Sequence, residues 1–519
     1  MNKKHKLFAA SLLALAIGGC AVKTDPIERS ASEARARADM AQIYKDQEPL
    51  NGPLTLHQAM ARAVKYNLEA RLKVMEEALG QRQLDLAQFD MLPRMALSAG
   101  YAGRNNQSAS SSQSIQTGTQ SLEPSTSQDR DREVADLTMV WNVLDFGVSY
   151  LGAKQQSDQR YILQERKRKV IHTITQDVRS AYWRAVAAER LLSQIDNLMG
   201  RINQARINSQ LMSAQRIGDP VQALSYQRAL IEATRQLEEQ RRALTLAKTE
   251  LAALINQPMD KPYTLALDNN YKVPELHVDF AKLEQQALAS RPELREQDYQ
   301  SRISATETRK AMLRMLPGLE FSAGGHYDSN SFLTNQSWAD YGLKVTWNLF
   351  NVISAPAAID VAKAGESVAD ARRQAMSVAV MAQLYVARAN FEEASRQFKT
   401  SEEMASLDGQ IAEQLRNRFQ TNNIGELELI QGELNNLQTQ LKRDLSYAEM
   451  RNAYSQVFVS SGADPLPKEL ADDKVQTIAN ALQTSDRALT DHKEAWPYTL
   501  KYFPYVVKRR YNCRIDIPN

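Results

Sequence analysis

Four short stretches of this chain alternate apolar and polar positions, and four longer ones repeat with a helical period. In Tyr341 to Asn348, the odd positions Tyr341, Leu343, Val345 and Trp347 are large and apolar, while the even positions are polar or small. Leu319, Phe321, Ala323, Gly325 and Tyr327 alternate in the same way with Glu320, Ser322, Gly324 and His326. Leu137, Met139 and Trp141 form a third run, in which Val140 interrupts the polar side, and Met95, Leu97, Ala99 and Tyr101 form a fourth. Period two predicts strands with one apolar face. Each run is about ten residues, the length a tilted strand needs to cross a bilayer. Tyr101, Trp141, Tyr327, Tyr341 and Trp347 are expected near strand ends, where an interfacial aromatic girdle would lie.

The strands belong to an internal repeat. Met91-Leu92-Pro93 returns as Met315-Leu316-Pro317, 224 positions later. Trp141-Asn142-Val143-Leu144-Asp145 returns as Trp347-Asn348-Leu349-Phe350-Asn351, 206 positions later. Ile217-Gly218 matches Ile424-Gly425, and Pro258 matches Pro465, both at 207. Four landmarks in order at two consistent offsets make a duplication. The offset changes across Asn105 to Gln128, which is dense in Ser, Gln and Thr and reads as an exposed loop; its counterpart, about Asp328 to Asp340, is shorter. Each half thus reads helix, Leu-Pro, strand, loop, strand, Trp-Asn, a very long helix, and a closing helix of some 35 residues.

Between Ser149 and Ile217 there is no proline, and none between Ala357 and Ile424. A helix of that length spans roughly 100 Å. Such helices need partners in water. Ala223, Leu230, Leu237, Leu244 and Leu251 recur every seven residues, with Tyr226, Ala233, Ala247 and Leu254 between them and Gln240 as the polar exception. Leu427, Leu434, Leu441 and Ala448 do the same in the second half. Both predict coiled-coil seams. The basic runs Arg166-Lys167-Arg168-Lys169 and Arg241-Arg242, and the pairs Glu76-Glu77 and Glu392-Glu393, are expected on solvated helix faces.

Composition narrows the picture. Of 519 residues, 43% are hydrophobic and 24% charged, which suits long amphipathic helices and not a bundle of membrane helices. The longest apolar stretch, Leu7 to Cys20, is short for a spanning helix. It follows Lys3, Lys4 and Lys6 and reads as an export signal. Ile17-Gly18-Gly19-Cys20 resembles a bacterial lipobox, whose cleavage would leave Cys20 first and lipidated; the alternative is an ordinary signal peptide with an incidental cysteine. Ala21 in second place, by resemblance to lipoprotein sorting, favours the outer membrane. Losing residues 1–19 removes three lysines and no acid, so the formal charge falls from +3 to zero and nothing points to nucleic acid. Only Cys513 would remain as a free thiol, so packing rather than cross-linking must stabilise the chain.

Four strands cannot close a pore, and lipid forbids open sheet edges. If the strands lie in a membrane, the chain must oligomerise; three copies give twelve strands. The Leu-Pro before each first strand, the Trp-Asn-x-[Leu/Phe]-[Asp/Asn] after each second strand and the glycines at the helical turns, taken in duplicate from Leu54 to Pro465, resemble the TolC-like outer-membrane efflux protein family. Phe146-Gly147 fits the family's usual ending; Asn351-Val352-Ile353 departs from it. The resemblance implies a mainly α fold: long antiparallel helices forming a periplasmic α-barrel, with four strands per chain in a trimeric twelve-stranded β-barrel. It implies a homotrimer in outer-membrane lipid, with a periplasmic adaptor protein and an inner-membrane pump as partners. Adaptor docking or gating would fall at the helix turns holding Gly218, Asp219, Gly425 and Glu426. There glycine supplies positive φ and the carboxylates cap helix starts or form a ring of like charges.

No phosphate loop, His-Glu-x-x-His or Gly-x-Ser-x-Gly occurs, and the six histidines lack metal spacing, so neither enzyme nor cofactor is expected. The expected organisation is a lipoprotein signal peptide at 1–19, a linker at 20–53, repeats at 54–262 and 279–465 joined by a linker at 263–278, and a tail at 466–519 outside the repeat. The expected role is a passive conduit for small-molecule efflux. The alternatives are the outer component of a type I protein secretion system and, from another class, a periplasmic coiled-coil adaptor or scaffold. An adaptor would need one β-rich module between two helices, whereas strands occur here before each long helix. A soluble four-stranded sheet would need a lid for its apolar face.

Overall fold

A computed structural model describes residues 26–214, 220–267, 271–276, 278–467 and 469–490. The signal peptide, Cys20, Gly218, Asp219 and Cys513 lie outside them. After a peripheral helix α1 (Arg29–Ile43), the first repeat runs α2 (Leu56–Tyr66), α3 (Leu68–Phe89), β1 (Arg94–Gly103), a small hairpin β2 (Ala109–Ser110) and β3 (Ser125–Thr126), β4 (Asp131–Asn142), α4 (Val143–Ala214) and α5 (Pro220–Leu254). The second runs α6 (Phe280–Ser290), α7 (Pro292–Leu313), β5 (Gly318–Asp328), β6 (Ser337–Thr346), α8 (Leu349–Gln420) and α9 (Glu426–Ser460).

The duplication holds helix for helix. Corresponding helices have equal lengths: 11 residues in α2 and α6, 22 in α3 and α7, 72 in α4 and α8, and 35 in α5 and α9. At 1.5 Å per residue, α4 and α8 are each about 108 Å long. Helix starts fall 224 positions apart before the strands and 206 after them. After α5 and α9, Asn256 and Gly462 both take left-handed backbone, at φ 53° and 76°. At Gly462 only glycine fits, because a Cβ would come within 2.8 Å of the Ser290–Arg291 peptide.

The helices pack side by side. Near the strands the order is α3–α4–α7–α8; towards the other end it is α5–α4–α9–α8. The predicted seam of α5 is buried at Leu230, Ala233, Leu237, Leu244, Ala247 and Leu251 against α4, and Leu434 and Ala448 are buried on α9. The α4–α7 junction is instead a polar ladder. Asp158 pairs with Arg302, Glu165 with Arg295, Arg166 with Glu296 and Lys169 with Glu293, and Tyr161 stacks on Tyr299. The run 166–169 is therefore not one solvated face. A helix turns 100° per residue, so Arg166 and Lys169 are exposed while Lys167 is buried on Glu77 and Arg168 reaches Asp464. Glu77 is likewise turned into the wall rather than to water; Arg241, Arg242, Glu392 and Glu393 are exposed as expected.

A girdle of shorter segments packs on the long helices, α2 on α4 and α6 on α8. The backbones of Leu54 and Leu265 pair, and the Tyr182 hydroxyl donates to the carbonyls of Leu54 and Ala266. From the inter-repeat linker, Tyr271 donates to Asp444 at 2.5 Å and packs on Tyr447 and Phe398. The 466–519 segment is not all tail: α10 (Val475–Thr490) is an amphipathic helix that packs on α2. There Asp486 receives Arg179 at 3.0 Å and sits 3.0 Å from His57. Nearby, Asp464 takes Arg168 at 2.6 Å and lies 2.8 Å from His172.

Burial pushes the Asp464 carboxyl up, but the hydrogen bond with His172 and the charge of Arg168 outweigh it and hold the group down at about 2. Burial raises Asp486 too, and the charge of Arg179 with the His57 contact turns it well below the usual carboxylate range. Both pKa values lie below the unfolded value of about 3.9, so the stabilisation is complete above that pH and fades as pH falls through it. Thermal melts should therefore show a midpoint that drops from about pH 5 down to about pH 2. Asp464→Asn should start lower at pH 7 and lose less across that window; parallel pH slopes for the two proteins would contradict this account of the girdle.

Candidate functional site: an open sheet on a helical wall

The four main strands form one antiparallel sheet in the order β1–β4–β5–β6. Hairpins β1–β4 and β5–β6 come from the two repeats, and β4–β5 joins them. Both outer edges, of β1 and β6, are without a partner strand among the described residues.

Register puts every odd-numbered strand residue on one face, because Met95↔Met139, Trp141↔Phe321 and Phe321↔Leu343 are direct partners. That face carries Leu97, Ala99, Tyr101, Leu137, Ala323, Tyr327, Tyr341 and Val345, the apolar set read from alternation. It is uncovered: Leu97 is 78% exposed, Tyr341 93% and Val345 66%, and every residue of β1 and β6 is exposed. No lid exists among the described residues. Trp141 and Trp347 lie at the helical end, Tyr101 and Tyr327 at the loop end. Tyr341 departs from expectation. It sits in mid-strand opposite Ala323, because β6 starts at Ser337 and the loop before it is shorter than the sequence suggested.

The Leu-Pro and Trp-Asn landmarks have structural causes. Pro93 and Pro317 end the turns after α3 and α7, where a missing N–H and a restricted preceding residue stop a helix. Asn142 and Asn348 cap the two long helices. Asn142 Oδ1 accepts from the N–H groups of Leu144 and Asp145 at 2.9 and 3.3 Å, and Asn348 Oδ1 from Phe350 at 3.1 Å. Trp141 packs on Phe321 and Phe146, and Trp347 Nε1 donates to the Met315 carbonyl at 3.0 Å.

The opposite face is polar, and one row on it escaped sequence reading. Ser98, Asp136, His326 and Trp338 lie side by side across all four strands. Ser98 Oγ is 3.4 Å from Asp136, whose other oxygen is 2.7 Å from His326 Nδ1, and the imidazole stacks on Trp338. The ring leans over Gly324, where a Cβ would come within 2.5 Å of it, and so reaches Asp340 at 3.2 Å. Alternation alone placed His326 on the polar side; only the register aligns it with two aspartates. At the strands' far end the two loops are tied together: Asp129 N–H donates to Asn330 Oδ1, and Ser331 Oγ to Asp129, both at 3.0 Å.

At the opposite end of the helices, the α8–α9 turn holds Gly425 and Glu426. The left-handed residue is Asn422, at φ 56°, and Gly425 has φ −81° as the residue before α9, which corrects the expected role of its positive φ. Asparagine tolerates that region, so the left-handed position falls three residues before Gly425. Glu426 lies in the first turn of α9, where the helix dipole favours it, and accepts from Tyr226 at 3.4 Å. Burial, then the Glu426 carboxylate, push the Tyr226 phenol up. Nearby Glu433 joins Arg201 of α4 to Arg416 of α8.

Among the described residues, nothing packs against the apolar seams on the outer flanks of the wall. On α3, Leu68, Leu72, Met75, Leu79, Leu86 and Phe89 follow four–three spacing and are all 48–68% exposed. On α8, Val361, Ala364, Val368, Ala371, Ala375 and Val378 follow it as well and are all exposed. Among the described residues no helix is long and apolar enough to cross a membrane, and no group of His, Cys, Asp and Glu could hold a metal ion.

Asn142→Ala and Asn348→Ala should each destabilise by about 1 kcal/mol, as lost helix caps do, while Asn→Asp at either position should retain most of it. Thermal or denaturant midpoints decide; an effect of Asn→Asp as large as that of alanine would contradict the capping role.

No family model and no curated protein matches the sequence. Solved structures do match. The CmeC outer membrane channel of Campylobacter jejuni aligns at TM-score 0.62 and 12% identity over 80% of this chain and 90% of that one. CusC, described for its transmembrane channel formation, aligns at 0.60 and 16% over 81% and 96%. The open state of the MtrE outer membrane channel of Neisseria gonorrhoeae aligns at 0.58 and 18% over 77% and 88%. With these likenesses and its duplicated helix–strand architecture, the chain has the fold of the TolC-like outer-membrane channels.

Proposed function

We propose that the chain is one of three identical subunits of an outer-membrane channel-tunnel, a passive conduit carrying small molecules from an inner-membrane pump to the exterior. The observation that carries this reading is the sheet: four strands with two free edges, an apolar face bare of protein and a polar face opposite. In water the apolar face would be exposed, and in lipid each unpaired edge group would cost several kcal/mol. Closure of three sheets into twelve strands removes both costs. The apolar face then meets lipid, and the row of Ser98, Asp136 and His326 lines the lumen. The unpartnered seams of α3 and α8 support the same arrangement in the helical part. Lipidation of Cys20 would anchor the N-terminus in the same membrane. The segments joining α4 to α5 and α8 to α9 would form the tip that meets a periplasmic adaptor. The chain would supply no energy of its own; the pump would.

The test is the purified full-length protein. In detergent it should have the mass of a trimer, and in planar bilayers it should give discrete single-channel currents; a monomer without conductance would end the channel reading. Side-chain placement gives a second test. Leu137→Arg, on the lipid face, should cost about 2–4 kcal/mol and reduce folded trimer, whereas Ser322→Arg, on the polar face, should leave trimer yield unchanged and alter conductance. Equal losses would contradict the assignment of faces. Metabolic labelling with palmitate should be lost in Cys20→Ala; undiminished labelling would remove the anchor.

A further inference from the structure

The duplication also specifies where a neighbouring copy sits. Resting on the trimeric reading, we infer that the junction between α4–β4 and α7–β5 within one chain is repeated between chains, by α8–β6 of one copy and α3–β1 of the next, at a register that can be read residue by residue. Three two-repeat chains closing a ring contain six repeats, and each repeat must meet the next in one geometry. Three of those junctions lie within chains and are described above. The other three follow by moving each residue to its repeat counterpart, 206 positions forward from α4 and β4, and 224 back from α7 and β5.

Within the chain, facing partners on α4 and α7 have residue numbers adding to 460–462, as in Asp158 with Arg302 and Lys169 with Glu293. Partners on β4 and β5 add to 462, as in Trp141 with Phe321. The shift of 18 between the two offsets moves these totals to 442–444 for the helices and 444 for the strands. The transferred register sets Leu72 against Ala371, Leu79 against Ala364 and Leu86 against Ala357 of the next copy. Each large residue meets a small one, and all six are exposed in the single chain. The ion pairs that set this register lie on α4 and α7, not on the seams themselves. In the sheet, Tyr101 meets Leu343, Ala99 meets Val345 and Leu97 meets Trp347, all on the apolar face. The lower junction agrees. Arg201 with Glu433 and Arg190 with Asp444 add to 634 within the chain, and equal offsets carry that total across. It brings exposed Met404 within one residue of register with exposed Ile231, and Ile411 within one of Leu224.

The two kinds of upper junction differ in chemistry. The counterparts of Ala364 and Ala371 on α4 are Asp158 and Glu165, and those of Leu72 and Leu86 on α7 are Glu296 and Lys310. A neighbour's α3 in place of α7 on α4 would bury Asp158 and Glu165 without their arginines, and a neighbour's α7 on the outer flank of α8 would strand Glu296 and Lys310 on alanine. The polar ladder thus keeps repeats of one chain together, and the apolar seam accepts only a second copy.

Oxidative cross-linking tests the register in the full-length protein carrying Cys513→Ser, with trimer mass measured in parallel. Ala99→Cys with Val345→Cys should give covalent dimers and trimers on non-reducing gels. Leu97→Cys with Val345→Cys, two residues out of register, should give several-fold less. If cysteines in the sheet impair folding, Leu79→Cys with Ala364→Cys serves in the helical part, against Leu72→Cys with Ala364→Cys as the off-register pair. Equal or better linking of the off-register pairs in an intact trimer would overturn the register and leave the channel reading standing. Absence of any trimer would overturn both.

Discussion

Everything in this architecture answers to the hydrogen-bonding demand of a sheet edge. A backbone N–H or C=O facing hydrocarbon has no water to turn to, so a strand pair cannot stop in lipid. The chain presents two such edges, on β1 and β6, and no described segment covers them. The same sheet turns an apolar surface outward where a globular protein would bury it. A solitary subunit would leave both features unsatisfied, and the proposed threefold closure would resolve both. The long helices share that logic, since their outer flanks carry exposed apolar seams that the proposed neighbours would cover.

Duplication supplies the geometry, and divergence between the copies supplies the specificity. Equal helix lengths in the two halves let one repeat stand in for the other around a ring. Identical repeats would also be interchangeable, with nothing to distinguish a neighbour from oneself. Charged ladder positions in one junction and alanine–leucine positions in its counterpart remove that ambiguity. Ion pairs of this kind bring little net stability, because desolvation offsets their attraction. Their use here is to make the wrong pairing costly. At the girdle, where α10, α2 and the inter-repeat linker wrap the wall, Asp464 and Asp486 instead tie segments far apart in sequence.

Much of this was legible in the chain itself. Period-two alternation assigned each apolar strand residue to its face, and the landmark offsets of 224 and 206 recur in the helix starts. What stayed hidden depended on register or on distance in sequence. His326, Asp136 and Asp340 are each unremarkable polar strand residues until β4, β5 and β6 are aligned. The basic run 166–169 looked solvated because charge says nothing about which neighbour each turn of a helix faces. Tyr271 lies in a segment without periodicity and declares its role only by inserting between α4 and α9. Gly425 drew attention as the turn's glycine, yet Asn422 takes the left-handed position, a task the two residues share closely enough that sequence alone does not decide between them.

The central claim is that the free edges of the sheet are satisfied by neighbouring copies within the membrane. Hydrogen–deuterium exchange of the protein reconstituted in lipid measures it directly. On this account the amides of β1 and β6 are protected as strongly as those of the inner strands β4 and β5. Rapid exchange along β1 and β6, with β4 and β5 still protected, would contradict it.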